Sequence, residues 1–517
     1  MKSILKQSKL VLYLTSCGAI LLLLSGIIGC DKSESSSSLK GIVAVDGTDG
    51  DSVVVRLYEY PDTEADVSVW SIPSQYSTIA FPYQSESIFD YRMQWQIAAD
   101  TTDAQGRFEF KDLNPGDYIV VADGNLSNFG SSHYKENYGW SWPRNVRVDG
   151  SEADAGTLQL YPDTVLGVTN ISAPVTFTAG RHWVLNGNLY IGSGGSLTVE
   201  PGTVIRVSAG KSIFVSAGGK LTCIGTPDQF IVITTDDLIA RDPEEWGTIL
   251  FSEGADPPQF KYCRLEFAWT AIESNVDGGS VEFCYFRSLN EALRSSGIPP
   301  VFSRNVILGA GLGVHCGAST NVDITHNVFQ SCDPFSITMD IVDGGEIFCN
   351  WFRDCGGSDS SGSGERGVIR LDWVKNVEIY QNSFETSWYA LTVRSGVDST
   401  ANIHHNKFHR MHSVLLLGVT NDRLRYAQPV FQYNCMTTVD GLYAHILACQ
   451  HNNRTIHAEY NYWNGVQSPT TLHNSYIWDC VRQPAEPPCP CFLLEPILSG
   501  CGQVETLTGI PAGICGE

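Results

Sequence analysis

The sequence predicts an all-β chain: a long stack of short parallel strands wound into coils, preceded by a small β module. Three observations predict it. The first is a repeat. Cys263, Cys284, Asn305, Asn327, Asn350, Asn382, Asn406, Asn434 and Asn461 each have an apolar residue three positions before and another two positions after. Their spacings are 21, 21, 22, 23, 32, 24, 28 and 27 residues, and all eighteen flanking sites are apolar. The second is period-two alternation, as in Val53, Val55 and Leu57 or Leu185, Leu189 and Ile191. The third is the content of 49 Gly and 23 Pro, which favours turns over long helices.

The repeat is the longest element. A unit near 22 residues is too short to fold alone, but it suffices for one coil of about three short strands. Coils stacked at ~4.8 Å pair their backbones as parallel sheets, and equivalent side chains stack as interior ladders. An Asn at an inward turn bonds its carboxamide to nearby backbone and to the Asn of the next coil. Cys263 and Cys284 fit the same niche as small, buriable residues. The file Phe329, Phe352, Phe384 and Phe408 reads as core stacking rather than a ligand platform. The 32-residue spacing holds a Gly/Ser stretch, Gly356 to Arg366, expected to bulge out.

Upstream, Lys40 to Leu160 reads as strands and turns. Asp103 and Gly106 make a turn, Phe108 and Phe110 face one side of a strand, and Asn114, Pro115 and Gly116 make the next turn before Tyr118 and Val120. Between Asp31 and Leu160 stand 21 acidic and 9 basic residues, a net of -12 out of -23 for the chain. This reads as a solvated acidic surface, since the acids do not follow a calcium-loop spacing. Nucleic acid is excluded as a partner, because no basic surplus exists to neutralise phosphates. The 55 aromatic residues exclude a wholly disordered chain.

At the start, Lys2, Lys6 and Lys9 precede an apolar run from Leu10 to Ile28. Such a run serves either as a cleaved export signal or as an anchor near the ~20 residues that span a bilayer. Its end, Ile27-Ile28-Gly29-Cys30, resembles the lipobox of bacterial lipoproteins. The resemblance implies a signal peptide over 1–29 and acyl chains on Cys30, which would hold the protein to a membrane. It places the chain in the bacterial cell envelope, at the outer membrane or cell surface. Asp31 resembles the residue that favours inner-membrane retention in some enteric lipoproteins, which leaves the leaflet open. Residues 30–39, rich in Ser, form a flexible tether. Cys17 and Cys30 removed, 14 of 16 Cys remain, so disulfides are expected in an exported chain.

Residues 40–160, with Gly-x-Phe-x-Phe and Leu-x-Pro-Gly-x-Tyr, resemble the carboxypeptidase regulatory-like or Cna-B-like β-sandwich family, whose members are usually spacers without chemistry. The stretch Trp70 to Trp95 departs from that family's short pattern. Residues 161–480 resemble right-handed parallel β-helix proteins. The resemblance rests on Leu-Thr-Val-Glu-Pro-Gly-Thr-Val-Ile at 197–205, Trp-Gly-Thr-Ile at 246–249 and Asn461-Tyr462-Trp463. The expected fold is therefore a right-handed parallel β-helix preceded by a small β-sandwich. Residues 481–517, with Cys489, Cys491, Cys501 and Cys515, are expected to cap the last coil.

Function is written less plainly, because this scaffold carries lyases, hydrolases, epimerases and adhesins alike. Counting back from the ladder, Asp340 and Asp372 lie ten residues before Asn350 and Asn382. Arg370 and Arg394 lie twelve before Asn382 and Asn406. Offsets differing by two put Asp340, Arg370, Asp372 and Arg394 on one face of stacked strands. Asp343 does not join them. Paired carboxylates serve a glycoside hydrolase. A basic residue serves a lyase, with Ca2+ or another group neutralising a uronate carboxylate. The hydrolase signatures Asn-Thr-Asp, Gly-Asp-Asp and Gly-His-Gly are absent, as is the lyase Arg-x-Pro-x-x-Arg pattern. The first reading is thus a non-catalytic scaffold or adhesin that binds glycans or other surface polymers, the four residues forming a salt-bridge ladder. The alternative is a lyase or hydrolase acting on an acidic polysaccharide through them. His404, His405, His409 and His412 form a second cluster. Strand alternation turns His404 and His405 to opposite faces, so no metal set is assigned.

Overall fold

The computed structural model describes residues 37–45, 48–60, 79–80, 88–124, 138–237, 245–357, 366–417, 428–437, 446–448, 455–463, 466–468, 477–478 and 491–508. Cys30, Trp70 and residues 481–490 and 509–517 lie outside them. Two four-stranded sheets come first. Ser37–Val45 pairs antiparallel with Arg107–Leu113 and parallel with Glu152–Leu160. Val54–Glu59 lies between Ala98–Thr101 and Gly116–Asp123, with Arg144–Val148 at the far edge. Their inner faces share one core, in which Val43, Val55, Leu57, Phe108, Phe110, Val120 and Leu158 are buried. The Asp103 turn forms as expected: its carboxylate accepts from the Gln105 and Arg107 amides, and Gly106 takes a left-handed φ of 71°.

A right-handed parallel β-helix follows. One face is a sheet of 13 parallel strands, from Asp163–Leu166 to Tyr462–Trp463. The other two faces merge through three long strands, Leu312–Thr325, Phe335–Phe348 and Ile369–Tyr380. The corner before the 13-stranded face turns on one residue. Tyr262, Phe283, Arg304, His326, Cys349, Gln381, His405, Tyr433 and Tyr460, each just before a ladder residue, all have φ between 49° and 58°. Such a conformation is costly for a residue with a Cβ. The ladder holds it. Asn327, Asn350, Asn382, Asn406 and Asn434 each accept, through Oδ1, the backbone N–H of the ladder residue one coil earlier at 2.8–3.0 Å. Cys263 and Cys284 occupy the same column, fully buried, their thiols donating to backbone carbonyls. Phe329, Phe352, Phe384 and Phe408 stack inside at centroid spacings of 4.8–5.0 Å. At the C-terminal end, a Cys435–Cys501 disulfide ties helix Gly502–Thr508, with its buried Val504, to the coil of Asn434.

Residues 79–80 and 88–93, from the stretch that departs from the short sandwich pattern, dock the module onto the β-helix. Ile79, Ala80 and Ile88 pack with Phe230, Tyr285, Val306 and Trp351 of the 13-stranded face. Phe89 and Tyr91 bridge Tyr58, Ile119 and Val121 of the module to Val204 and Val232. Between them Asp90 accepts from Arg92 Nε at 3.0 Å and Nη2 at 2.8 Å, and from Arg287 Nη2 at 3.2 Å. Arg92 also donates to the Thr235 and Asp237 carbonyls, and Arg264 to the Phe89 carbonyl. Glu266 is the second carboxylate of this buried network. Burial pushes the Asp90 pKa up, but the Arg92, Arg287 and Arg264 charges outweigh it and hold the carboxyl ionised.

His182, nearly fully buried against Trp140 at the start of the β-helix, gives the dock a pH dependence. Burial first, then the Arg206 and Arg92 charges, push its pKa well below the ordinary 6.5. In the unfolded chain this ring takes up a proton below pH 6.5, while the folded chain keeps it neutral. The stabilisation is complete above 6.5 and is lost as the pH falls toward the folded value. Unfolding free energy is expected to drop between pH 7 and 5 with a slope of up to about 1.4 kcal/mol per unit from this group. Urea titrations of His182→Phe should lose that component; an unchanged slope would dismiss it.

Candidate functional site

The long strands and Tyr389–Val393 position the candidate side chains. Cys316, Met339, Leu371 and Val393 are in register and point inward, fully buried. Their chain neighbours therefore face outward. One outer column is His315, Thr338, Arg370 and Thr392; the next is Gly317, Asp340 and Asp372. Arg394 continues the second column. Its N–H bonds the Leu371 carbonyl, and its Nε lies 3.9 Å from the Asp372 carboxylate. Equal offsets from the Asn ladder suggest that Arg394 is the stacked equivalent of Arg370, but that place belongs to Thr392. Eight residue steps separate Arg370 from Glu378, whereas ten separate their partners Thr392 and Asn402. The longer corner moves Arg394 two residues along its strand.

All four side chains are thus on one outward face. Arg370 Nη2 donates to both oxygens of Asp340 at 2.7 and 3.0 Å, and the guanidinium lies 5.2 Å from the Phe335 ring centre. His315 Nε2 is 3.2 Å from the same carboxylate. Burial works to raise the Asp340 pKa, but the His315 contact and the Arg370 charge prevail and lower it. Asp372 shifts the other way: burial and the nearby Asp340 charge outweigh Arg394 and raise it. The two carboxyls are mostly buried and are driven apart in acidity.

Beside them lies a cavity of about 420 Å3 lined by Asn290, Leu312, His315, Phe335, Arg370 and Arg394, among others. Neither Asp340 nor Asp372 is part of its wall. What the cavity presents is two guanidiniums, an imidazole and the Asp333 carboxylate, the last paired with Arg366 at 3.4 Å, with Asp340 and Asp372 held in ion pairs beside it. A left-handed residue bends each long strand, at Ala318, Ile341 and Trp373. The Trp373 ring, next in the chain to Asp372, is 51% exposed. Gly396 backs it so closely that a Cβ there would sit 2.3 Å from the indole.

His315, Phe335 and Trp373 were not indicated by the spacing of charged residues. His315 carries a legible signal, however: it lies twelve residues before Asn327, the same offset as Arg370 from Asn382. Asp343 lies beyond the Ile341 corner, paired with Lys375 at 2.9 Å and Asn376 at 2.7 Å. The four histidines of the second cluster do not converge as one set. His412 stacks on Trp388 at 3.7 Å, and His409 Nδ1 contacts Thr437. His404 and His405 do not face opposite ways, since the left-handed turn at His405 breaks the strand alternation. Their Nδ1 atoms lie 2.6 Å apart. Among the described residues no three His, Cys, Asp or Glu side chains converge as metal ligands.

Residues 169–257 match the family model described as "Pectate-lyase like beta helix domain". The match ends before the strands that carry the site. Comparison with curated proteins finds no match. Coils, ladder and family match agree that the chain carries a pectate-lyase-like, right-handed parallel β-helix preceded by smaller β-sheets.

Proposed function

We propose that this chain is a lipid-anchored envelope protein whose β-helix binds an acidic glycan without cleaving it. The supporting observation is the cavity wall of His315, Arg370 and Arg394, with the exposed Trp373 ring one residue beyond Asp372 in the chain. Guanidiniums recognise carboxylate or sulfate groups through forked hydrogen bonds. An indole offers an apolar face for a sugar ring. Against catalysis stands the position of the carboxylates: Asp340 is held by Arg370 and His315, and neither aspartate lines the cavity. In this reading the lipid on Cys30 and the tether carry the module, and the Asp90 network fixes the β-helix to it as a rigid presenting arm. The first module serves as a spacer, in keeping with its resemblance to carboxypeptidase regulatory-like domains.

A second reading has one observation in its favour. The Asp340 and Asp372 acidities are driven apart, as in acid and base pairs. On that reading the chain is a hydrolase or, with Ca2+ neutralising a uronate, a lyase. Incubating the purified chain with a panel of acidic and neutral polysaccharides separates the two. The binding reading predicts retention of an acidic glycan with no new reducing ends and no unsaturated products, with or without Ca2+. Product formation that Asp372→Asn abolishes would replace it with the enzymatic one.

A further inference from the structure

The corner before the 13-stranded face carries, at His404 and His405, a contact that neither the ladder nor the groove at Arg370 accounts for. His404 and His405 point their Nδ1 atoms at one another across 2.6 Å, shorter than an ordinary N–H···O hydrogen bond. The other nitrogen of each ring is engaged from outside. His404 Nε2 lies 2.7 Å from Glu378 Oε2, and a carboxylate only accepts, so this nitrogen carries the proton. Asn402 Nδ2 donates to the same oxygen and fixes its position. His405 Nε2 lies 2.9 Å from the Thr508 hydroxyl. That hydroxyl donates its single hydrogen to the Val504 carbonyl at 2.7 Å, so it accepts from His405 Nε2–H. Both neutral rings are therefore left with an Nδ1 lone pair, and the two lone pairs face each other. Tyr380 stacks on His404 at 5.2 Å and Tyr433 on His405 at 5.6 Å, so both rings are held in these orientations.

Two facing lone pairs repel unless a proton or a metal ion lies between them. We propose that His404 and His405 chelate a late first-row divalent metal ion through their Nδ1 atoms, with Glu378 and Thr508 as the outer partners that orient the rings. Imidazole nitrogen suits Cu2+ and Zn2+, and Cu2+ binds the tighter of the two at a given set of ligands. A metal–nitrogen distance of about 2.0–2.1 Å needs the two atoms to part by under 2 Å, even for a linear arrangement. The partly exposed His404 ring supplies that movement, and water fills the remaining positions. A histidine that donates its second N–H to a carboxylate is the usual arrangement behind a metal ligand. The site is separate from the groove at Arg370 and stands whether or not that groove binds a glycan.

The test titrates the purified full chain with Cu2+ alone and with Zn2+ alone. One equivalent of Cu2+ should bind, with two-nitrogen coupling in its electron paramagnetic resonance spectrum. His404→Ala should abolish that signal, while His457→Ala, remote from the pair in sequence and itself near Glu459, should leave it. Glu378→Gln should weaken binding ten- to a hundredfold. Circular dichroism of His404→Ala verifies that the coils persist. Absence of binding at millimolar Cu2+ would overturn the proposal. It would mean that a proton on one Nδ1 joins the two rings in a plain N–H···N bond. Cu2+ binding that His404→Ala leaves unchanged would overturn it equally.

Discussion

Asn350→Ala is expected to destabilise the β-helix by roughly 3–5 kcal/mol, from two or more buried polar groups left unpaired at about 1–3 kcal/mol each. Asn350 Oδ1 accepts from both the backbone N–H and the side-chain amide of Asn327. Its own amide donates to the Ile324 and Phe348 carbonyls. Alanine removes these four bonds and a fifth, from the same amide to Asn382 Oδ1, at a fully buried corner. The left-handed residue before it, Cys349 at φ 55°, also loses its support. Because each coil contacts only its neighbours, a break in mid-array uncouples the two halves. Urea unfolding should show a large loss of stability and a second transition. A loss below about 1 kcal/mol would mean that the ladder does not hold the corner.

Asp90→Ala is expected to cost a similar amount, about 3–5 kcal/mol, as for other buried pairs broken on one side. The change leaves Arg92, Arg264 and Arg287 buried with Glu266 as the remaining carboxylate of the network. The damage should be local. Limited proteolysis should open the Ile79–Met93 segment while the coils beyond it stay resistant. Uniform loss of resistance along the chain would show instead that module and β-helix unfold as one unit.

Most of the fold was legible because a stacked coil repeats its constraints. The Asn column must recur at every corner, and the inner Phe file at every layer, so both are visible as spacing in the chain. The site was legible only in part, for the same reason in reverse. Counting from the ladder assumes that every corner has the same length. The corner after Val393 is two residues longer, and Arg394 shifted along its strand. Alternation assumes extended backbone, and the left-handed turn at His405 broke it. The docking segment was seen only as a departure from a family pattern. Asp90 meets Arg287 across 197 residues, and no local periodicity encodes such a contact.

The groove beside Arg370 and Arg394 is expected to bind an acidic glycan. The most direct measurement is calorimetric titration of the acidic polysaccharide retained by the wild-type chain, repeated on Arg370→Ala and Arg394→Ala and on Trp373→Ala. The account predicts that each arginine variant weakens binding at least tenfold, with a steep dependence on salt in the wild type. Trp373→Ala should weaken it with little effect on that dependence. Wild-type affinity in all three variants would contradict it.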